Sequence, residues 1–206
     1  MTAVSNDEWQ AAQRFEAGFH GDCLNTYGEE TKQLTYAELM GLAAMRADHY
    51  PVYDLGHKSV LDIGGGPASI LLKCINRGPS TVADPLKIPK WAIDRYQLNS
   101  ILYDRCPAER FVSRVVGSAG PAFDEAWIYN VLQHVVDPEQ VIATARREAR
   151  QVRIFEWIDM PAYEGHPHSL RSEQLIDWLG EGKGRTIVLD GINGCYGRAF
   201  YGVFAS

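Results

Sequence analysis

The stretch from Val60 to Leu72 constrains this chain more than any other. An apolar run from Ser59 to Ile63, carrying one acid at Asp62, meets three consecutive glycines, Gly64 to Gly66. Beyond them Ile70, Leu71, Cys74 and Ile75 fall on one helical face. The pattern predicts a strand, a tight turn and a helix. Glycines in such a turn let the backbone take positive φ and come close to a ligand, and a helix N-terminus behind them offers unpaired N–H groups. Three adjacent glycines are costly to order, so the turn needs a backbone purpose.

From Lys58 onward strand-like and helix-like segments alternate, which predicts an α/β fold with a parallel sheet covered on both faces. The second strand, Ser80 to Ala83, ends at Asp84, twenty residues beyond Gly64. That spacing suits a carboxylate accepting hydrogen bonds from ribose hydroxyls, with Pro85 and Leu86 able to cover an adenine face. Pro89 opens a helix over Lys90 to Asn99, and Ile101 to Tyr103 is a short third strand. Asp137 and Pro138 read as the cap and first residue of a helix whose buried stripe is Val141, Ile142, Ala145 and Ala149. A fifth strand, Gln151 to Ile158, leads into a loop rich in ionisable groups, and a helix follows from Leu170 to Leu179. Thr186 to Leu189 and Ala199 to Phe204 then form a hairpin around Gly191 and Gly194.

Three motifs carry a family resemblance. Asp62-x-Gly64-x-Gly66-x-Ala68 resembles the first motif of class I S-adenosylmethionine-dependent methyltransferases, with Ala68 in place of the frequent third glycine. As a dinucleotide fingerprint the same stretch fails, because Ser69 occupies the third glycine position. Phe123 to Pro138, with Phe-Asp, an apolar strand, Leu-x-His and Asp-Pro, resembles the fourth strand and turn of the large group that includes ubiquinone, sterol and sugar methyltransferases. Cys106 to Glu109 resembles the family's adenine-bracketing loop, with Pro107 where an aspartate is usual.

The resemblance implies a doubly wound, mostly parallel seven-stranded sheet closed by an antiparallel C-terminal hairpin, with helices on both faces. It implies S-adenosyl-L-methionine as methyl donor and S-adenosyl-L-homocysteine as product. Asp62, Gly64 and Gly66 are expected beside the methionine part, Asp84, Pro85 and Leu86 at the ribose and adenine, Ala108 and Glu109 in the adenine loop. Asn130 and Val131, ending the fourth strand, are expected near the methionine end or the acceptor.

Residues 1–57 read as a helical extension or lid, and 58–206 as the donor-binding domain, in one compact unit. In the extension, Trp9, Ala12, Phe15 and Phe19 follow helical spacing, Gly21 to Thr31 is a loop, and Thr35 and Glu38 suggest a capping box for a helix ended by Tyr50 and Pro51. Tyr27 and Tyr36 are candidates to touch donor or acceptor. Methyl transfer from a sulfonium needs alignment and exclusion of water, and no metal. A hydroxyl acceptor benefits from a base of near-neutral pKa, which points to His166 and His168, with Glu156, Asp159 or Glu164 as orienting groups. His134 reads first as a hydrogen-bonded residue at a helix start and second as an acid–base group. His166 and His168 with Glu164 form only a weak metal pattern, since no second cluster completes a site.

A net charge of −6 without clustered Lys and Arg argues against a general nucleic-acid binder and favours a small-molecule acceptor, a hydroxyl or an amine, on a monomer or homodimer. Cys23, Cys74, Cys106 and Cys195 are scattered, as in a reducing cytoplasmic protein. No apolar run approaches a membrane span. An RNA or protein methyltransferase and a non-catalytic donor-binding protein of the same fold remain as alternatives.

Overall fold

A computed structural model describes residues 3–21, 26–46, 50–113, 120–180 and 184–206, with Thr26, Tyr27 and Arg46 described by backbone alone. The chain opens with α1 (Asn6–His20) and α2 (Thr26–Leu39), followed by the short strands β1 (Ala44–Arg46) and β2 (Val52–Asp54). After β3 (Val60–Ile63) comes one 3-10 turn, Ile70–Lys73, and β4 (Cys74–Ile75). Then follow β5 (Ser80–Ala83), α3 (Lys90–Leu98), β6 (Ile101–Asp104), β7 (Phe123–Tyr129), α4 (Pro138–Glu148) and β8 (Ala149–Trp157). The last elements are α5 (Ser172–Leu179), β9 (Arg185–Asp190) and β10 (Tyr196–Ala205).

Seven strands form one sheet in the order β6-β5-β3-β7-β8-β10-β9, and β1, β2 and β4 form a small second sheet. The five strands from β6 to β8 run parallel, and β10 pairs antiparallel with both β8 and β9. The expected seven-stranded sheet with its reversed C-terminal hairpin is therefore present. Period-two alternation feeds a core on each face. Leu61, Ile63, Ala126, Ile128, Val152 and Ile154 pack under α4 and α5, whereas Val60, Val82, Trp127, Phe155 and Trp157 pack with Tyr36 of α2 and Tyr96 of α3. Asp137 accepts from Gln140 N at 3.1 Å and Pro138 begins α4, as the sequence pattern indicates.

Three local expectations are corrected. The helix expected after the glycine turn is a single 3-10 turn, because Asn76, Gly78 and Pro79 leave too little chain and Cys74 and Ile75 pair with β2. Residues 44–57 are not helical, since β2 is needed to pair β4. Thr35 does not cap a helix: it lies inside α2, which starts at Thr26 within the expected loop and ends at Leu39, and its hydroxyl accepts from Asn193 Nδ2 at 3.0 Å. Cys23 and the side chain of Tyr27 lie outside the described residues. Among those residues, no helix is long and apolar enough to cross a membrane.

One ionic cluster fastens α2 to the sheet. Glu125, nearly fully buried, accepts from Arg153 at 2.7 and 2.9 Å, from Lys58 at 2.7 Å and from Trp127 Nε1 at 2.9 Å, while Arg153 Nη1 donates to Met40 O at 2.7 Å. Burial works to raise the Glu125 carboxyl, but the hydrogen bonds from Arg153, Lys58 and Trp127 outweigh it and hold it at about 2. Removing one partner of a buried pair leaves an uncompensated charge. Arg153→Ala is expected to cost about 3 kcal/mol in urea unfolding. A loss under about 1 kcal/mol would show that Lys58 alone neutralises Glu125.

Candidate active site

The glycine turn is built from its ends inward. Gly64 and Gly66 have φ of +72° and +54°, and a Cβ at Gly64 would meet the Val131 side chain at 2.3 Å. The turn therefore packs directly against the residue that follows β7. Asp62 lies wholly beneath it. Its Oδ2 accepts from Ser69 Oγ and, at 2.7 Å, from Tyr129 OH. Burial pushes the Asp62 carboxyl up to about 7, against those two hydrogen bonds.

The N–H groups that the sequence suggested were open to a ligand are already engaged. Ser69 N donates to Tyr96 OH at 2.9 Å, Ile70 N to Tyr129 OH at 3.2 Å, and Leu71 N to Ser69 Oγ at 3.0 Å. Tyr96 OH in turn donates to Gly66 O at 2.7 Å. Two buried phenols thus cap the 3-10 turn's N-terminus.

Above the turn lies a cavity of about 490 Å³, within the usual range for a small-molecule site. Of the residues expected to bind the donor, Gly64, Gly66, Asp84, Pro85, Leu86, Ala108, Glu109, Asn130 and Val131 line it, whereas Asp62 supports it from below. Asp84 is buried, with its carboxyl raised mainly by burial, and accepts from Gly66 N at 2.9 Å and Leu86 N at 2.8 Å. Glu109 Oε1 accepts from Val136 N at 2.8 Å and Asp137 N at 3.2 Å, so that carboxylate anchors the turn before α4. Asn130, at φ +56°, bends the chain out of β7. The next two N–H groups, of Val131 and Leu132, donate to Glu156 Oε1 at 2.9 and 3.0 Å.

The other half of the cavity is walled by the N-terminal helices and the loop after β8. Trp9, Phe15, Glu16 and Phe19 of α1, Gln33 and Tyr36 of α2, Trp157, Tyr163 and His166 all face it. Contacts with the sheet edge locate α1: Val4 N donates to Val136 O at 3.0 Å, Gln13 Nε2 to His134 O at 3.4 Å, and Phe15 meets Tyr163 edge-on at 5.9 Å.

The two candidate bases separate. His166 lines the cavity, its Nε2 3.1 Å from Tyr163 OH, with its pKa lowered to about 4 by burial and then by His134. His168 does not line it: it is buried, its Nε2 2.9 Å from Val135 O, and it pins the loop to the turn before α4. Glu156 is buried outside the cavity, Glu164 is exposed, and Asp159 pairs with Arg198 at 2.8 Å.

Two further residues complete the site: Glu16, which no sequence motif marks, and His134, whose second reading from sequence is as an acid–base group. Glu16 Oε1 lies 3.2 Å from His134 Nδ1, which is also 2.8 Å from Gly165 O. Burial pushes Glu16 up to about 7 and His134 down to about 4. The available signal was periodicity: Trp9, Gln13, Glu16 and His20 share one stripe of α1, so ionisable groups sit on its inward side.

No protein-family model and no curated protein matches the chain. Solved structures do. A 1,6-didemethyltoxoflavin-N1-methyltransferase from Burkholderia thailandensis aligns over 100% of this chain and 92% of its own, with TM-score 0.63 and 13% identity. A possible histamine N-methyltransferase from Thermotoga maritima aligns over 96% and 99%, with TM-score 0.62 and 12% identity. A magnesium protoporphyrin IX methyltransferase from Synechocystis aligns over 100% of both chains, with TM-score 0.60 and 13% identity. The chain has the Rossmann-like fold of class I S-adenosylmethionine-dependent methyltransferases.

Glu156 makes the site's support sensitive to pH. Burial outweighs its two backbone hydrogen bonds and raises its carboxyl to about 8, and Asp62 shifts the same way. The folded state then keeps protons that the unfolded chain releases above about pH 4. The stabilisation is complete below that pH and is lost as pH rises through 7 to 8. Glu156→Gln keeps an acceptor for Val131 and Leu132 and is expected to lose less stability than the wild type between about pH 6 and about pH 9. Equal losses in urea unfolding would show that Glu156 ionises in the native state at no cost.

Proposed function

We propose that the chain is an S-adenosyl-L-methionine-dependent methyltransferase acting on a small-molecule acceptor. The observation that carries this is the charge of the cavity. Among the described residues four carboxyl groups line it, Glu16, Glu29, Asp84 and Glu109, against one lysine, Lys32, which pairs with Glu29 at 2.6 Å. A pyrophosphate would meet these carboxyl groups, and the N–H groups of Ser69, Ile70 and Leu71 are already spent on Tyr96, Tyr129 and Ser69. A cationic sulfonium with a neutral ribose suits the same walls.

Asp84 holds the ribose hydroxyls in this reading, with Pro85, Leu86 and Ala108 against the adenine. Gly64, Gly66, Asn130 and Val131 surround the methionine end. When bound, the donor supplies a methyl group on sulfonium sulfur; the acceptor's lone pair forms the new bond to that carbon as the carbon–sulfur pair withdraws onto sulfur. The aromatic wall of α1 and α2 excludes water and shapes the acceptor half, so residues 1–57 act as a cover for the domain formed by 58–206. His166 is the candidate to orient the acceptor or take its proton. His168 contributes by positioning the loop that carries His166. The scattered cysteines accord with a cytoplasmic protein, and the compact chain with a monomer or homodimer.

Thermal unfolding with S-adenosylmethionine, S-adenosylhomocysteine, NAD and NADP tests the donor. At a hundredfold excess over its Kd a ligand contributes about 2.7 kcal/mol, or about 5 to 10 °C here. Shifts with the two adenosyl sulfur compounds alone are expected, and a shift with NAD would discard the reading. Asp84→Asn keeps only one of the two oxygens that accept from Gly66 and Leu86 N–H and removes the charge, and is expected to weaken S-adenosylhomocysteine about tenfold or more by calorimetry. In an acceptor screen read by S-adenosylhomocysteine release, His166→Ala is expected to lower turnover about 100-fold with donor affinity retained. His168→Ala should instead lower the unfolding midpoint.

A further inference from the structure

Three side chains from distant parts of the sequence converge in the acceptor half: Glu16 of α1, His134 of the turn after β7, and His166 of the loop after β8. A carboxylate oxygen of the first and a ring nitrogen of each histidine lie within 4.8 Å of one another. The hydrogen bonds around them leave the set unfinished. His134 Nδ1 faces two acceptors, Gly165 O at 2.8 Å and Glu16 Oε1 at 3.2 Å, with at most one proton to share between them. His166 Nδ1 is buried without a hydrogen-bond partner, while Tyr163 OH, 3.1 Å from Nε2, fixes the ring. A cation in place of the shared proton satisfies the lone pair of His134, the carboxylate of Glu16 and the idle nitrogen of His166 together. Separations near 3 Å, as between His134 Nδ1 and Glu16 Oε1, are those of neighbouring ligands held about 2.1 Å from one ion.

We propose that Glu16, His134 and His166 form a binding site for a first-row divalent cation of the zinc or iron(II) class. Two imidazoles with one carboxylate suit those ions, whereas magnesium and calcium take oxygen ligands. Three protein ligands leave a coordination position open towards the cavity, where an acceptor oxygen or nitrogen can enter. Tyr163 plays the outer-shell part that orients a metal-bound imidazole. The ion also ties α1 to the carboxyl edge of the sheet, since its ligands come from both. The site deepens the acceptor side of the proposed function by giving the His166 imidazole a ligand's role.

The test uses the full chain, stripped with chelator and titrated with Co²⁺ and then Zn²⁺. One equivalent of Co²⁺ is expected, with a visible ligand-field spectrum that Zn²⁺ abolishes and a raised unfolding midpoint. Glu16→Gln, His134→Asn and His166→Asn should each weaken binding at least about tenfold and alter the spectrum, and Tyr163→Phe should weaken it about tenfold without removing a ligand. His57→Asn, at an exposed histidine outside the cavity, should bind as the wild type does. Failure of the wild type to bind one equivalent, or any of the three ligand substitutions leaving affinity and spectrum unchanged, overturns the site. Tyr163→Phe leaves the three ligands in place, so it still tests the site if a ligand variant fails to fold. S-adenosylhomocysteine binding in the same samples separates the two readings: metal bound without it discards methyl transfer and keeps the ion site, and the converse discards the ion site alone.

Discussion

The hydrogen bonds that converge on Asp62 hold the architecture of the site. A carboxyl at the end of β3, wholly buried, receives the hydroxyls of Ser69 and Tyr129, and these with Tyr96 take up the N–H groups of Ser69, Ile70 and Leu71. Three glycines would otherwise be the most mobile part of the chain. The clamp turns them into a fixed rim, and Gly66 N then reaches Asp84 on the neighbouring strand. β3 and β5 are thereby joined at their carboxyl ends by side chain and backbone, where an open α/β sheet presents its ligand. β7 is joined the same way, through Val131 against Gly64 and through Glu156 under the chain that leaves Asn130.

Most of the sheet could be read from the residues because its signals are local. Asp62, the three glycines, Asp84, Asn130 and the Asp137-Pro138 cap are each defined by neighbours in sequence, and all lie where the strand-turn pattern indicates. What failed was whatever depends on contacts distant along the chain. Ile70, Leu71, Cys74 and Ile75 suit a helical face, yet Cys74 and Ile75 pair with Tyr53 and Asp54 of an earlier strand, and no periodicity reports that. Thr35 and Glu38 imitate a helix start, but the hydroxyl of Thr35 is bound by Asn193 from the far end of the chain. The two histidines of the last loop look equivalent in sequence. They differ because Val135 O captures one and the other turns to Tyr163. Glu16 and His134 are separated by more than a hundred residues and become neighbours only when α1 lies across the edge of the sheet.

The electrostatics of the cavity follow from the same economy. Among the described residues four carboxyl groups face one lysine and three histidines around it, and burial holds Glu16 and Asp84 above the usual carboxylate range while lowering His134 and His166. These are groups poised for a charged guest rather than for solvent. The deeper carboxyls, Asp62 and Glu156, bear on folding instead, each taking up hydrogen-bond donors that strand ends would leave open.

The attachment of α1 is lighter than that of the sheet beneath it. Of its fifteen residues only Ala12 is fully buried, and its hold on the sheet edge consists of a few hydrogen bonds and ring contacts. Such a segment unfolds locally at far smaller cost than the sheet beneath it. Its amides therefore belong to the fast class in hydrogen exchange, and those of β3, β7 and β8 to the slow class. The rim beneath it is held by the buried hydrogen bonds around Asp62, Asp84 and Glu156.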